Sequence, residues 1–165
     1  MKVKDVMTTG ARACGPDTNL AAATEIMWDG DCGILPVVDE GGNLVGVITD
    51  RDICIAVGTC GRLASDIAVK DVISGNVFAC LPDTDIRDAL EIMRAKKVRR
   101  LVAVNPDGNI AGILSLDDIA VAAESATGGR KPELSLADVA LTLKAICGRP
   151  LAQTLSADRP ASAAH

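Results

Sequence analysis

Aromatic residues are nearly absent: Trp28 and Phe78 stand alone and there is no tyrosine. A surface that stacks single-stranded nucleic acid needs several aromatic rings, so that class of function is excluded. Histidine occurs once, as the last residue, His165. That removes Ser-His and Cys-His nucleophilic pairs and histidine-ligated metal centres. Positive charge is also short. With 17 Lys and Arg against 22 Asp and Glu, the net charge is −5, which argues against general nucleic-acid binding. No apolar run of about 18 residues exists to span a membrane, and the opening Met1-Lys2-Val3-Lys4-Asp5 lacks a signal-peptide core. None of the six cysteines (Cys14, Cys32, Cys54, Cys60, Cys80, Cys147) forms a Cys-x-x-Cys pair, so zinc-ribbon and thioredoxin-like readings fail on spacing. A cytoplasmic protein with reduced, mostly buried thiols is expected.

Hydrophobic residues make up 48% of the 165, enough for a packed core of Val, Ile, Leu, Ala and Met. The chain is also an internal repeat. Shifted by 66 positions it matches itself without a gap, and 21 of the 54 pairs from Val3/Val69 to Ala56/Ala122 are identical. Each copy reads β-α-β-β-α. A short β segment (Ala11 to Cys14; Val77 to Leu81) leads to Pro16-Asp17-Thr18 or Pro82-Asp83-Thr84, which start a helix with Asp or Thr as N-cap. Ile86, Ala89, Leu90 and Met93 fall on one apolar helix face. A strand follows (Ile34 to Asp39; Val98 to Val104), then a Gly- and Asn-bearing turn, then a second strand (Leu44 to Ile48; Ile110 to Leu114). The second helix opens on Thr49-x-x-Asp52 or Ser115-x-x-Asp118, hydroxyl and acid spaced as in a capping box. The same groups at a helix N-terminus can bind an anionic ligand.

The organisation is repeat 1 at 1–60, repeat 2 at 61–124, a linker at 125–134, a helix at 135–150 and a disordered tail at 151–165. In the third helix, Leu136, Val139, Ala140 and Leu143 form an apolar stripe. A small monomer hides such a stripe with difficulty, which points to a homodimer.

The unit carrying Gly46-Val47-Ile48-Thr49-x-x-Asp52 and Gly112-Ile113-Leu114-Ser115-x-x-Asp118, twice and in order, resembles the CBS domain; a tandem pair is a Bateman module. Leu143-Lys144-Ala145-Ile146-Cys147 is similar to the end of stand-alone bacterial CBS-pair proteins of the hypoxic-response type. The resemblance implies an α+β fold of two pseudo-symmetric repeats packed sheet to sheet. It also implies two clefts for adenosyl ligands: AMP, ADP, ATP, S-adenosylmethionine or NAD. The family's acid contacts ribose and its Thr or Ser contacts ribose or phosphate, which maps to Asp52 with Thr49 and to Asp118 with Ser115. A basic pair starting the second strand contacts phosphate in family members and maps to Arg99 and Arg100; Phe78 stands where the family places its adenine wall.

Charge separates the copies. Residues 3–56 hold three bases and nine acids, while residues 69–122 hold seven and eight. The second copy thus has acid, hydroxyl and base together, whereas the first has Gly33 and Ile34 at the basic positions. The expected function is a non-catalytic sensor that binds an adenine nucleotide as a regulatory ligand, preferentially in the cleft of the second copy. No cofactor is required, and its partners are itself and an unidentified protein target. The rival readings are an interaction module with empty clefts and a thiol-based redox or metal sensor.

Overall fold

The computed structural model describes residues 1–73, 76–123 and 133–148. The linker and tail readings at 125–132 and 151–165 lie outside them.

Each copy delivers the predicted helix, hairpin and helix. In the first, α1 (Leu20–Asp29) precedes the antiparallel strands β2 (Ile34–Val38) and β3 (Leu44–Thr49), and α2 (Asp50–Cys60) follows. In the second, α3 (Ile86–Lys96), β5 (Arg100–Val104), β6 (Ile110–Ser115) and α4 (Leu116–Ala122) repeat the order. The hairpins match in detail: the register shifts at Val37/Val38 in one and at Ala103/Val104, 66 residues on, in the other. Gly42 and Gly108 turn both with positive φ, 80° and 89°. Asp39 and Asp107 bond the asparagines Asn43 and Asn109 across the turns, which holds both carboxyls below the usual aspartate range. The predicted face of Ile86, Ala89, Leu90 and Met93 is buried.

The opening segments are exchanged between the copies. Val3 is fully buried in the core of the second copy, among Ile86, Leu90 and Leu114. Val69 is fully buried in the core of the first, among Leu20, Leu35 and Ile48. The backbone follows suit: Val3 N donates to Thr84 O at 2.9 Å and Val69 N to Thr18 O at 2.8 Å. Strand β1 (Thr8–Thr9) then joins the second copy's sheet, whose order is β1-β6-β5-β4 with β4 at Ala79–Cys80 parallel to β5.

This exchange corrects the expected helix caps. The N-caps are Asn19 and Asp85, which accept from Ala22 N at 2.9 Å and Arg87 N at 3.0 Å. Asp17 and Asp83 instead pair with Lys70 (2.5 Å) and Lys4 (2.7 Å) of the exchanged segments, and Thr18 and Thr84 accept from Gly15 N and Leu81 N. The Lys4 partner holds the Asp83 carboxyl below the usual range. Its stabilising effect is therefore present above about pH 4 and lost as pH falls further. Of the segment Ala11 to Cys14, only Cys14 bridges a strand, pairing in parallel with Val37.

The third helix, α5 (Leu136–Cys147), lies on the second copy, against α3 and α4. Its expected stripe is not the buried one. Thr142 is fully buried and Val139 and Ile146 touch the core, whereas Leu136, Ala140 and Leu143 face outward.

The motif glycines mark where the exchanged segments cross. A Cβ on Gly112 would meet the Thr8 carbonyl oxygen, and one on Gly46 would lie 2.7 Å from the end of the Ile73 side chain. Backbone cannot yield where a side-chain tip can rotate. Gly112→Ala is expected to cost about 1–3 kcal/mol, as overpacking does, and Gly46→Ala clearly less. Urea unfolding of the two variants checks this, and equal losses would refute the crossing.

Candidate ligand cleft between the repeats

Strand β6 ends at Ser115, the N-cap of α4. Its Oγ accepts from Asp118 N at 3.0 Å and donates to Asp118 Oδ2 at 2.6 Å, while Ser115 N donates to the same oxygen at 3.0 Å. Asp118 Oδ1 accepts no hydrogen bond among the described residues. Arg100 stands opposite Ser115 in the β5–β6 register. Strand β1 runs along the other edge of β6, and Gly10, with φ +69°, turns the chain so that Arg12 reaches the same place. The stem of Arg12 lies on the end of α1: a Cβ on Gly30 would sit 2.9 Å from Arg12 Cδ. These groups enclose a cleft of ≈ 380 Å³, lined by Thr8, Arg12, Asp31, Arg100, Ser115 and Asp118 with neighbours including Ile34 and Ile113.

The structure thus joins three of the expected site residues, Ser115, Asp118 and Arg100. The others stand elsewhere. Arg99, which stands just before β5, points to α5 and donates to Cys147 Sγ at 3.3 Å. Thr49 and Asp52 form the same box on α2, with the Oγ1–Oδ2 distance at 2.7 Å, but line neither this cleft nor the groove beside it. Phe78 packs on the second core under the Lys96 ammonium, 5.6 Å from its ring centre, and lines neither cavity. Gly33 and Ile34, expected opposite the first copy's acid, border the second copy's cleft. At the start of α4, Leu116 N donates to Arg99 O at 2.9 Å and Asp118 N to Ser115 Oγ.

Arg12 is the functional candidate that sequence reading missed. A signal was present: the 66-residue shift places it on Phe78, so the position resembling a ligand wall in one copy is a base in the other. The box itself is not diagnostic. Ser135 and Asp138 build a third one on α5 with the same 2.7 Å contact, and neither lines this cleft or the groove beside it.

All six cysteines are free. Burial pushes the thiols of Cys14 and Cys80 up to about 11, so neither is a thiolate near neutral pH. Among the described residues no group of three His, Cys, Asp or Glu could hold a metal ion, and no helix is long and apolar enough to cross a membrane. Under native conditions Cys60, which is exposed, is expected to react promptly with an aromatic disulfide reagent, and Cys14 and Cys80 only on unfolding; equal rates would overturn the assignment.

Comparison with known proteins agrees with this architecture. The CBS-domain family model matches residues 3–58 and 69–125, the two copies. The CBS domain-containing protein YhcV of Bacillus subtilis is 34% identical over 123 residues, covering 72% of this chain and 83% of its own. Hypoxic response protein 1 of Mycobacterium tuberculosis is 27% identical over 117 residues, 71% of this chain and 81% of its own. The crystal structure of CBSX2 in complex with AMP superposes with a TM-score of 0.63 at 28% identity, covering 73% of this chain and 94% of that one. Both copies, their exchanged openings and their paired capping boxes therefore have one explanation: the chain belongs to the CBS-domain family, as a tandem pair.

Proposed function

We propose that this protein is a non-catalytic, cytoplasmic sensor that binds an adenosyl ligand in the cleft of the second copy, acts as a homodimer and signals to a separate protein target. The observation that carries this reading is the convergence of Ser115, Asp118, Arg100 and Arg12 on one cleft of ≈ 380 Å³, a size suited to a small ligand. Asp118 Oδ1 would accept from the ribose hydroxyls, as a single carboxylate does for a cis diol. Arg12 and Arg100 would take the phosphate, and Ile34 and Ile113 supply apolar contact for the base. The AMP complex of CBSX2 supports the ligand class. Because Arg12 comes from the first copy and Asp118 from the second, a bound ligand bridges the two and favours the arrangement in which both reach it.

The lining carries two guanidiniums against the three carboxylates of Asp31, Asp117 and Asp118. A second or third phosphate finds no further base, so AMP is expected to bind more tightly than ATP. A thermal-shift screen of AMP, ADP, ATP, S-adenosylmethionine, NAD and the guanine nucleotides checks both class and order.

Charge-assisted contacts are worth about 1.5–3 kcal/mol, so Asp118→Asn, Arg12→Ala and Arg100→Ala should each weaken AMP binding roughly ten- to a hundredfold. Asp52→Ala and Arg99→Ala should do much less. Asp138→Asn removes the same carboxylate charge from a capping box away from the cleft and serves as control: it should lower the melting temperature and leave the Kd unchanged. Calorimetry decides it. An Asp52→Ala loss equal to that of Asp118→Asn would overturn the choice of cleft, and no binding by the wild-type protein to any of the nucleotides would favour an interaction module with empty clefts.

A further inference from the structure

The two copies differ in what lies on their helices. On the second, α5 crosses α3 and α4. Arg94 donates to Thr142 at 2.9 Å, Arg99 to Cys147 Sγ at 3.3 Å, and Arg87 to the Glu133 carbonyl at 2.9 Å. Beneath it Leu90, Leu116 and Ile119 are 1%, 5% and 0% exposed. Moving back 66 residues gives Thr24, Asp50 and Ile53 on the first copy, and Arg94 becomes Trp28, which is 85% exposed. Thr24, Trp28, Asp50, Ile53 and Cys54 line a groove of ≈ 580 Å³ between α1 and α2. This groove is the pseudo-symmetric counterpart of the seat that α5 fills on the second copy. The fold thus shows that a helix of this sequence fits such a seat, and it leaves the first one open.

Helix α5 also has more apolar surface than its own seat uses. Leu136 and Leu143, 47% and 42% exposed, flank its outward side on one edge, and Leu141, 61% exposed, flanks it on the other. A helix apolar on both sides belongs between two surfaces. The one basic residue on its outward side among the described residues, Lys144, complements Asp31 and Asp50 in the open groove.

We propose that the α1/α2 groove of one protomer receives the outward face of α5 from a second copy of this chain, and reciprocally, so that each α5 is held between its own second repeat and its partner's first repeat. This deepens the homodimer reading above and is independent of ligand identity. The two-fold arrangement repeats one contact twice, groove to helix and helix to groove. Asp31, Cys32, Gly33 and Arg100 border both the groove and the ligand cleft, so the partner's helix forms the wall next to the ligand.

Trp28 is the only tryptophan and there is no tyrosine, so its emission reports this groove alone. Sedimentation equilibrium and tryptophan emission are measured on the wild type, Leu143→Glu, Trp28→Glu and an equimolar mixture of the two variants. Leu136→Glu and Cys54→Glu provide a second pair on the same surfaces should either first variant fail to fold. Wild type is expected to be a dimer whose Trp28 emission is blue-shifted and shielded from acrylamide relative to Leu143→Glu. Each variant alone should self-associate at least tenfold more weakly, and the mixture should re-associate, because one of its two contacts joins an intact groove to an intact helix. A Leu143→Glu dimer would mean groove on groove, and a Trp28→Glu dimer would mean helix on helix; either overturns the proposal and leaves the homodimer reading in place. A monomeric wild type at tens of micromolar overturns both.

Discussion

Val3 and Val69 are each fully buried in the core of the repeat they do not begin. Everything else in this molecule depends on that exchange. It makes the two hydrophobic clusters incomplete alone, since each takes a fully buried valine from the other half of the chain. It also commits polar groups that would otherwise start a helix: Asp17 and Asp83 bond the exchanged lysines, and capping moves two residues on to Asn19 and Asp85. The motif glycines, Gly46 and Gly112, are small because the exchanged segments pass directly over them.

The exchange also builds the cleft. After crossing β6 as β1, the first copy's chain turns at Gly10 and sets Arg12 beside the second copy's Ser115 and Asp118. A base and an acid far apart in sequence meet because the strand between them belongs to the other repeat's sheet. The site is a property of the pair, and a ligand held there is held by both copies.

Small departures from the repeat then break the symmetry. Arg12 replaces Phe78, Gly33 replaces Arg99 and Asp50 replaces Leu116. In the second copy Arg99 anchors α5 and Leu116 lies under it. In the first copy, Gly33 leaves the groove open and the Asp50 carboxylate rests against it; a Cβ at Gly33 would lie 2.9 Å from Asp50 Oδ2. One surface is thereby covered within the chain, and its counterpart, with Trp28 beside it, is left open. The capping boxes show the same division between local and tertiary roles. Three of them have nearly equal geometry, but only the Ser115–Asp118 pair lines the cleft that Arg12 and Arg100 also line.

The sequence by itself determined what is local or periodic. Helices, hairpins, the Thr/Ser-x-x-Asp boxes and the family all follow from spacing within about ten residues and from the 66-residue repeat. That Ser115, Asp118 and Arg100 line one cleft was also legible, since strand, cap and acid are neighbours in one copy. Only the tertiary structure decided which copy each opening segment joins, because exchanged and unexchanged repeats have the same local pattern. For that reason Arg12 was not legible, and Asp17 and Asp83 read as caps. Only packing, likewise, decided which face of α5 turns inward. With Leu, Val or Ala on nearly every side, the helix has no single polar face to exclude an orientation, and the bond from Arg94 to Thr142 settles it.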